Sequence, residues 1–266
     1  MKSAVMCIAN NEDHYIDEWV RYHLKLGFSE VFVFQNNWRY PEAGGYDDKR
    51  IHFIDFDGPL MMNPCYNGFI KEYHSEFDFA MFLDADEFLA INTKDSLNDI
   101  LERYSDEDCI YVNWRIFGDN NLRYVKDGNY SCIKRFTMCD DKLHRLGKNI
   151  LNFRKNGKRF SFFNPHIVLM DGKPFTYSDT VGNHKELIWE YYPTDIQIME
   201  LFHYRNKTYP EFFNRKFLKY DPLFGANQKI NNDRLYILSS FDEFNTNKIE
   251  NRIAYDMMFE NKEMIP

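Results

Sequence analysis

The 266-residue chain contains no apolar run approaching the roughly 18 residues that a membrane-spanning helix needs. Its N-terminus, MKSAVMCIANNEDHYIDEW, has a single Lys and a short apolar stretch. It then turns acidic without a small-residue cleavage site, so no signal peptide is expected. Five cysteines are scattered with no CxxC pair, which argues against structural zinc and against a disulfide framework. Reduced thiols in a cytoplasmic protein are the simplest reading. Gly (12) and Pro (9) make up about 8% of the chain, against roughly 12% in average usage, which excludes collagen-like and linker-rich chains. GxxxxGK[ST], GxGxxG and GxSxG are all missing, so a P-loop and a hydrolase nucleophile elbow lose support. The Gly-rich signature of a sugar nucleotidyltransferase is missing as well. Excess positive charge is also lacking: the net charge of −8 excludes a general nucleic-acid coat.

What is present is a globular composition, 44% hydrophobic and 18% aromatic. At roughly 100–200 residues per domain it fits one large domain, or a domain with an extension. The apolar run 3–9 reads as a buried strand. Ile16, Trp19, Val20, His23 and Leu24 then fall at helical spacing, with Asp13 as the expected N-cap and Gly27 as the expected C-terminal stop. A second strand follows at 30–34. Strand, helix and strand in 35 residues make a βαβ unit with parallel pairing. Further strands are expected at 51–56, 79–83 and 109–114. Helices are expected from Pro64 to about Phe77 and over 96–104. This alternation predicts an open α/β sheet. The second half is less regular, with a late helix beginning near Pro210 and carrying Phe213, Phe217 and Tyr220 on one face.

Asp84-Ala85-Asp86 is the sharpest feature. A five-residue apolar strand feeds it, and in open α/β sheets ligands sit beyond the carboxyl ends of strands. Two carboxylates there suit Mg²⁺ or Mn²⁺, which take oxygen ligands and share them with substrate phosphates. The pattern alone is weak, since Asp55-Phe56-Asp57 and Asp106-Glu107-Asp108 match it too.

Several pieces in order carry a resemblance. They are Cys-Ile-Ala-Asn-Asn-Glu at 7–12, Tyr-Ile-Asp-Glu-Trp at 15–19, and Val-Phe-Val-Phe-Gln-Asn-Asn at 31–37. Phe-Leu-Asp-Ala-Asp-Glu-Phe-Leu at 82–89, Asn-Trp-Arg-Ile-Phe-Gly at 113–118 and Phe-His-Tyr-Arg-Asn-Lys-Thr at 202–208 follow. Together they resemble the bacterial family-2-like and family-92-like glycosyltransferases. The resemblance spans residue 3 to about 220, and its motifs are specific only in combination.

The resemblance implies a GT-A fold: a Rossmann-like nucleotide-sugar-binding half, 1–115, and an acceptor-binding half, 116–266. It implies transfer of a hexose from a nucleoside-diphosphate sugar, with UDP-sugar favoured, to a glycan or glycolipid acceptor in cell-surface polysaccharide synthesis. By position it puts Asn10, Asn11 and Glu12 at the nucleotide. It puts Asp84, Ala85 and Asp86 at the diphosphate, and Asp84, Asp86 and His203 at a Mn²⁺ or Mg²⁺ ion. One departure matters. The family has Asp-Asn-Gly-Ser after the second strand, whereas Gln35-Asn36-Asn37-Trp38 stands here. Gln35 and Asn36 are then the candidates for base or ribose contacts.

Within 134–160, nine Lys or Arg stand against two Asp. Such a run is commonly a solvated face. Here it also offers Lys148 or Arg154 to a diphosphate, or a peripheral contact with anionic lipid at the cytoplasmic membrane face. Lys216 is a further candidate cation. An inverting reaction needs a general base; Asp179 and Glu186 are the candidates, with Asp119 behind them. His166 and His184 are weaker candidates for metal or phosphate contact. Two rival readings share the acidic pair: another metal-dependent nucleotide enzyme, such as a nucleotidyltransferase or phosphodiesterase, and a non-catalytic nucleotide- or glycan-binding module.

Overall fold

The computed structural model describes residues 1–126, 128–186, 193, 197–215 and 234–260, the side chains of 234–237 excepted. The first half runs β1 (Ser3–Ala9), α1 (Ile16–Leu26), β2 (Glu30–Gln35), β3 (Ile51–Asp55), α2 (Met62–Tyr73), β4 (Phe79–Leu83), β5 (Glu87–Ile91), α3 (Leu97–Arg103) and β6 (Cys109–Ile116). The second half begins with α4 (Cys132–Arg135), β7 (Met138–Cys139), β8 (Gly147–Asn152), α5 (Phe153–Asn156), β9 (Phe160–Asn164) and β10 (Ile167–Met170). It continues through β11 (Thr176–Asp179), β12 (His184–Glu186), β13 (Met199–His203), α6 (Tyr209–Phe213), α7 (Arg234–Phe244), β14 (Ile249–Glu250) and α8 (Ile253–Phe259).

A ten-stranded mixed sheet is the frame, in the order β12-β11-β6-β8-β4-β1-β2-β3, with β13 joined to β6 and β5 joined to β13. β1 lies between β2 and β4, all parallel, and β3 continues beyond β2. β8 runs antiparallel between β4 and β6. The protein is thus a mixed α/β fold with a Rossmann-like first half.

β1, β2 and β4 are buried on both faces, which explains their apolar runs. On one face Val5, Cys7, Val31, Val33, Met81 and Leu83 pack with Trp19 and Val20 of α1. On the other, Ala4, Met6, Phe32, Phe34, Ala80 and Phe82 pack with Tyr66 and Phe69 of α2. The α1 stripe is as the spacing predicts, and Gly27 ends the helix at φ 118°, a left-handed conformation suited to glycine. Asp13 does not cap α1; its carboxylate accepts Trp38 Nε1–H at 2.9 Å instead. The second helix begins at Met62, two residues before Pro64, and stops at Tyr73 rather than near Phe77. Of the late aromatic face, Phe213 closes α6, while Phe217 and Tyr220 lie outside the described residues. No helix among the described residues is long and apolar enough to cross a membrane.

The basic run 134–160 is not one face. β8 carries Lys148 toward the end of the sheet where β4 terminates, while Arg154 lies past the opposite end, its N–H donating to Asp78 O just before β4 begins. Lys155 and Arg159 pair with Asp108 and Asp171.

His23 of α1 is fully buried. Its Nδ1 contacts Trp19 O at 2.9 Å and its Nε2 accepts the Leu89 N–H at 3.4 Å, which fixes a neutral ring. Burial pulls its pKa down to about 3, against the Trp19 carbonyl that favours the proton. The unfolded chain protonates His23 near pH 6.5. The stability that the neutral ring confers is therefore fully present above that pH and is lost as pH falls toward 3. We expect the unfolding free energy to fall by up to about 1.4 kcal/mol per pH unit in that window from this group alone. Urea titrations from pH 7 to pH 4 check it: His23→Leu should flatten the slope whatever its constant offset, and an unchanged slope would assign the acid sensitivity elsewhere.

Candidate functional site

β1, β2 and β4 all run toward the same edge of the sheet, so Asn10–Glu12, Gln35–Asn37 and Asp84–Asp86 emerge there together. The strand end at β4 is built on a buried charge network. Asp84 is partly exposed, at 31% of its side chain, and its Oδ2 lies 3.1 Å from Lys148 Nζ, which has no solvent exposure. Lys148 also sits 3.8 Å from Glu87 Oε2. Glu87 accepts the Asp84 N–H at 2.8 Å and Trp114 Nε1–H at 2.6 Å. Burial works against the Lys148 charge, but Asp84 and Glu87 outweigh it and raise its pKa. Burial drives Glu87 well above the usual carboxylate range, with Lys148 opposing.

Asp86 points to a second set of cations. Its Oδ2 accepts from Arg215 Nη1, and its Oδ1 lies 3.5 Å from His203 Nε2. Burial disfavours its charge, yet Arg215 and His203 hold it well below the ordinary range. Burial lowers the His203 pKa, with Asp86 opposing. His203 Nδ1 is buried and finds no partner among the described residues. β13 places His203 beside the pair because it runs parallel to β6 and antiparallel to β5, the strand that follows Asp86.

A cavity of about 370 Å³ opens beyond β1, lined in part by Asn11, Glu12, Tyr15, Tyr130, Lys207 and Arg215. Lys207 lies over the Tyr15 ring at 3.7 Å and 4.0 Å from Glu12. Glu211 of α6 receives Arg135 at 2.9 Å and the Tyr15 hydroxyl, so the segment leading to Arg215 is tied down over the β1 loop.

The structure thus brings together Asn11, Glu12, Asp84, Ala85, Asp86, Lys148 and His203, with Asn10 at the end of β1. Gln35 and Asn36 are at the right edge, but other contacts engage their side chains. Gln35 donates to Asp55 at 3.0 Å and accepts the Tyr40 N–H at 2.7 Å. Asn36 donates to Phe56 O and Gly58 O, both at 2.9 Å. They hold the loops after β2 and β3. Lys148 lies beneath the acidic pair, not open above it. Lys216 falls outside the described residues.

The three candidate bases are not assembled with the pair. Asp179 is fully buried and accepts from Val181 N, Asn183 N and Asn183 Nδ2, anchoring the turn to β12. It stands three strands from β4, about 14 Å at the spacing of sheet neighbours. Glu186 is exposed on the edge strand β12, one strand farther. Asp119 accepts Asn121 N at 2.8 Å and Asn247 Nδ2 at 3.1 Å, pinning the loop after β6. His184 is exposed at the same far edge, 2.8 Å from Glu107. Of the tandem Trp114-Arg115, only Trp114 turns to the charge network, through Glu87; Arg115 points the other way and pairs with Glu200 at 2.8 Å.

Reasoning from sequence missed Glu87, Lys207 and Arg215. Glu87 and Lys207 lie inside the quoted motifs and Arg215 seven residues past the last of them, but nothing in spacing tells a packed acid or base from a working one.

A divalent ion can be tested against these donors. Among the described residues no three His, Cys, Asp or Glu side chains cluster as a ligand set, so His203 is not grouped with both aspartates. Lys148 takes one oxygen of Asp84, and Asp86 is engaged by Arg215 and His203. The residues fit an ion that brings most of its shell with it. Mg²⁺ and Mn²⁺ do so when one or two carboxylates are joined by substrate phosphates and water.

The buried Lys148 generates a stability prediction. Lys148→Met removes the cation shared by Asp84 and the buried Glu87 and should destabilise the fold. Adding Glu87→Gln should recover a measurable part of that loss in a double-mutant cycle by denaturant unfolding. Strict additivity would show that the two side chains do not act as a pair.

No family model matches the chain, and no curated protein does. Among solved structures, S. aureus TarS overlaps 48% of this chain at 21% identity and a TM-score of 0.35. This chain spans only 23% of TarS. HddC from Yersinia pseudotuberculosis overlaps 63% of this chain and 82% of its own at 10% identity, with a TM-score of 0.34. A candidate glucose-1-phosphate thymidylyltransferase from Bacillus anthracis, in complex with a sucrose, overlaps 90% and 83% at 7% identity, also with a TM-score of 0.34. Likenesses this distant assign no activity, and function rests on the cleft's own residues.

Proposed function

We propose that the protein is a GT-A-like glycosyltransferase that moves a hexose from a nucleoside-diphosphate sugar, UDP-sugar favoured, to a glycan or glycolipid hydroxyl. The observation that carries the reading is the acidic pair Asp84 and Asp86 at the carboxyl end of β4, beside the β1 loop and ringed by Lys148, Lys207 and Arg215. Carboxylates that can share a divalent ion, together with protein cations, are what a departing diphosphate requires. Residues 1–115 would hold the donor. Lys207 and Arg215 of the second half would reach back to its phosphates, and the same half would supply the acceptor side.

In this reading Asp84 and Asp86 hold Mg²⁺ or Mn²⁺, which when bound supplies Lewis-acid stabilisation of the leaving diphosphate. Arg215 is placed to exchange Asp86 for a phosphate oxygen, as a planar donor fork suits phosphate. Asn11 and Glu12 line the cavity and would meet the nucleoside.

Incubation with a panel of nucleotide sugars and Mn²⁺, followed by assay of free nucleoside diphosphate, tests the reading. Release should depend on added metal and fall at least about 100-fold in Asp84→Asn and Asp86→Asn, the order lost when one strong electrostatic contact to a developing charge is removed. Asp57→Ala should stay near wild type, because Asp57 pairs on the surface with Arg39. Pyrophosphate in place of nucleoside diphosphate would favour a nucleotidyltransferase. Nucleotide binding with no turnover of any donor would favour a binding module.

A further inference from the structure

Trp114 gathers three histidines. His144 stacks on it with centroids 5.6 Å apart, His166 meets it edge-on at 5.1 Å, and His203 lies at 4.4 Å. His203 is turned to Asp86, and His144 Nδ1 accepts the Leu146 N–H at 3.1 Å. His166 differs. Its Nδ1 is 2.8 Å from Gly147 O, a pure acceptor, so Nδ1 carries the hydrogen and Nε2 keeps its lone pair.

The loop that presents His166 is held firmly. Asn164 Oδ1 accepts both the His166 N–H at 2.8 Å and the Ile167 N–H at 2.9 Å. Asn149 Nδ2 donates to His166 O at 3.0 Å. Gly147 packs directly on β6 and leaves no room for a side chain, since a Cβ there would lie 2.0 Å from Val112 O. The ring is therefore fixed against β8, one residue from the Lys148 that reaches Asp84. It remains only half-buried, in contrast to Asp179.

Among the described residues, the three carboxylates at the turn are already engaged: Asp84 by Lys148, Asp86 by Arg215, Glu87 by Trp114 and the Asp84 N–H. None of the three is open as a proton acceptor. We propose that His166 is the general base that takes the proton of the acceptor hydroxyl, an assignment that rests on the glycosyltransferase reading above. The hydroxyl proton passes to His166 Nε2 as its oxygen bonds the anomeric carbon. The carbon–oxygen bond to the diphosphate breaks, and its electron pair leaves with the diphosphate.

Electrostatics agree with a neutral ring. Burial lowers its pKa to about 4, Lys148 and His203 add to that, and Asp84 and Gly147 O oppose it. A bound diphosphate adds negative charge beside these groups and moves the ring toward the neutral range where a base works best.

The test uses the full chain with UDP-glucose, UDP-galactose and UDP-N-acetylglucosamine, Mn²⁺, and water or lactose as acceptor. His166→Ala and His166→Gln should bind UDP with Mn²⁺ within about threefold of wild type by calorimetry. Their turnover should fall roughly 10²–10⁴-fold. The wild-type rate should decline below the pKa of His166 in the donor complex, this acid limb should vanish in both variants, and imidazole should restore part of the His166→Ala rate. Turnover within threefold of wild type, a retained acid limb, or UDP affinity lost in both variants would each overturn the base assignment while leaving donor chemistry in place. Failure of the wild type to release UDP from any donor would instead overturn the underlying reading, and the base assignment with it.

Discussion

A lysine ammonium with no route to solvent holds the working end of the sheet together. Lys148 stands on β8, the antiparallel strand inserted between β4 and β6, and its charge is matched by Asp84 and Glu87. A buried ammonium persists only when paired and hydrogen-bonded. Its presence therefore fixes the turn at 84–87, because Glu87 accepts the Asp84 N–H and Trp114 Nε1–H within the same few ångströms. Trp114 in turn orders His144, His166 and His203 around its ring. Strand, turn, tryptophan and histidines are thus one unit, and losing the ammonium would loosen all of it.

What the sequence makes legible follows from the same physics. β1, β2 and β4 are covered on both faces, so their residues are apolar without interruption and read as strands from composition alone. The α1 stripe and Gly27 are local signals and hold. β8 gives no such signal. All six of its residues are buried, yet Lys148, Asn149 and Asn152 are polar and are satisfied only by distant partners: Asp84, His166 O, and the carbonyls of Ser105 and Glu107. A strand whose burial is compensated by tertiary hydrogen bonds carries no periodicity to read.

The site divides along the same line. Asp84 and Asp86 are legible because a strand feeds them into the sheet's ligand edge. Asp179 and Asp119 look equally suitable as isolated acids, but each accepts backbone N–H groups in its own loop, a role common to Asp in turns. Gln35 and Asn36 are likewise engaged, since their amides join the loops after β2 and β3. Spacing along the chain does not record which hydrogen bonds a side chain has already made. His166 is the converse case: a weaker candidate for metal or phosphate contact in the sequence, it has its tautomer set by the Gly147 carbonyl.

The charge arrangement also bears on how a donor would enter. Asp84 and Asp86 each hold a protein cation, Lys148 and Arg215. A diphosphate arriving alone would compete for Arg215 and leave the buried Asp86 without that partner. A divalent ion arriving alone would compete for Asp86 and leave Arg215 unpaired. In either case a group with little access to water loses its partner, which is strongly unfavourable. Arriving together, the ion takes Asp86 as a phosphate takes Arg215, and neither is stranded. On the proposed reading, the pairs seen here favour the metal–nucleotide complex over either component. The same exchange would free Arg215 from Asp86 and hand it to the donor, so the second half would gain a contact to the donor as it binds.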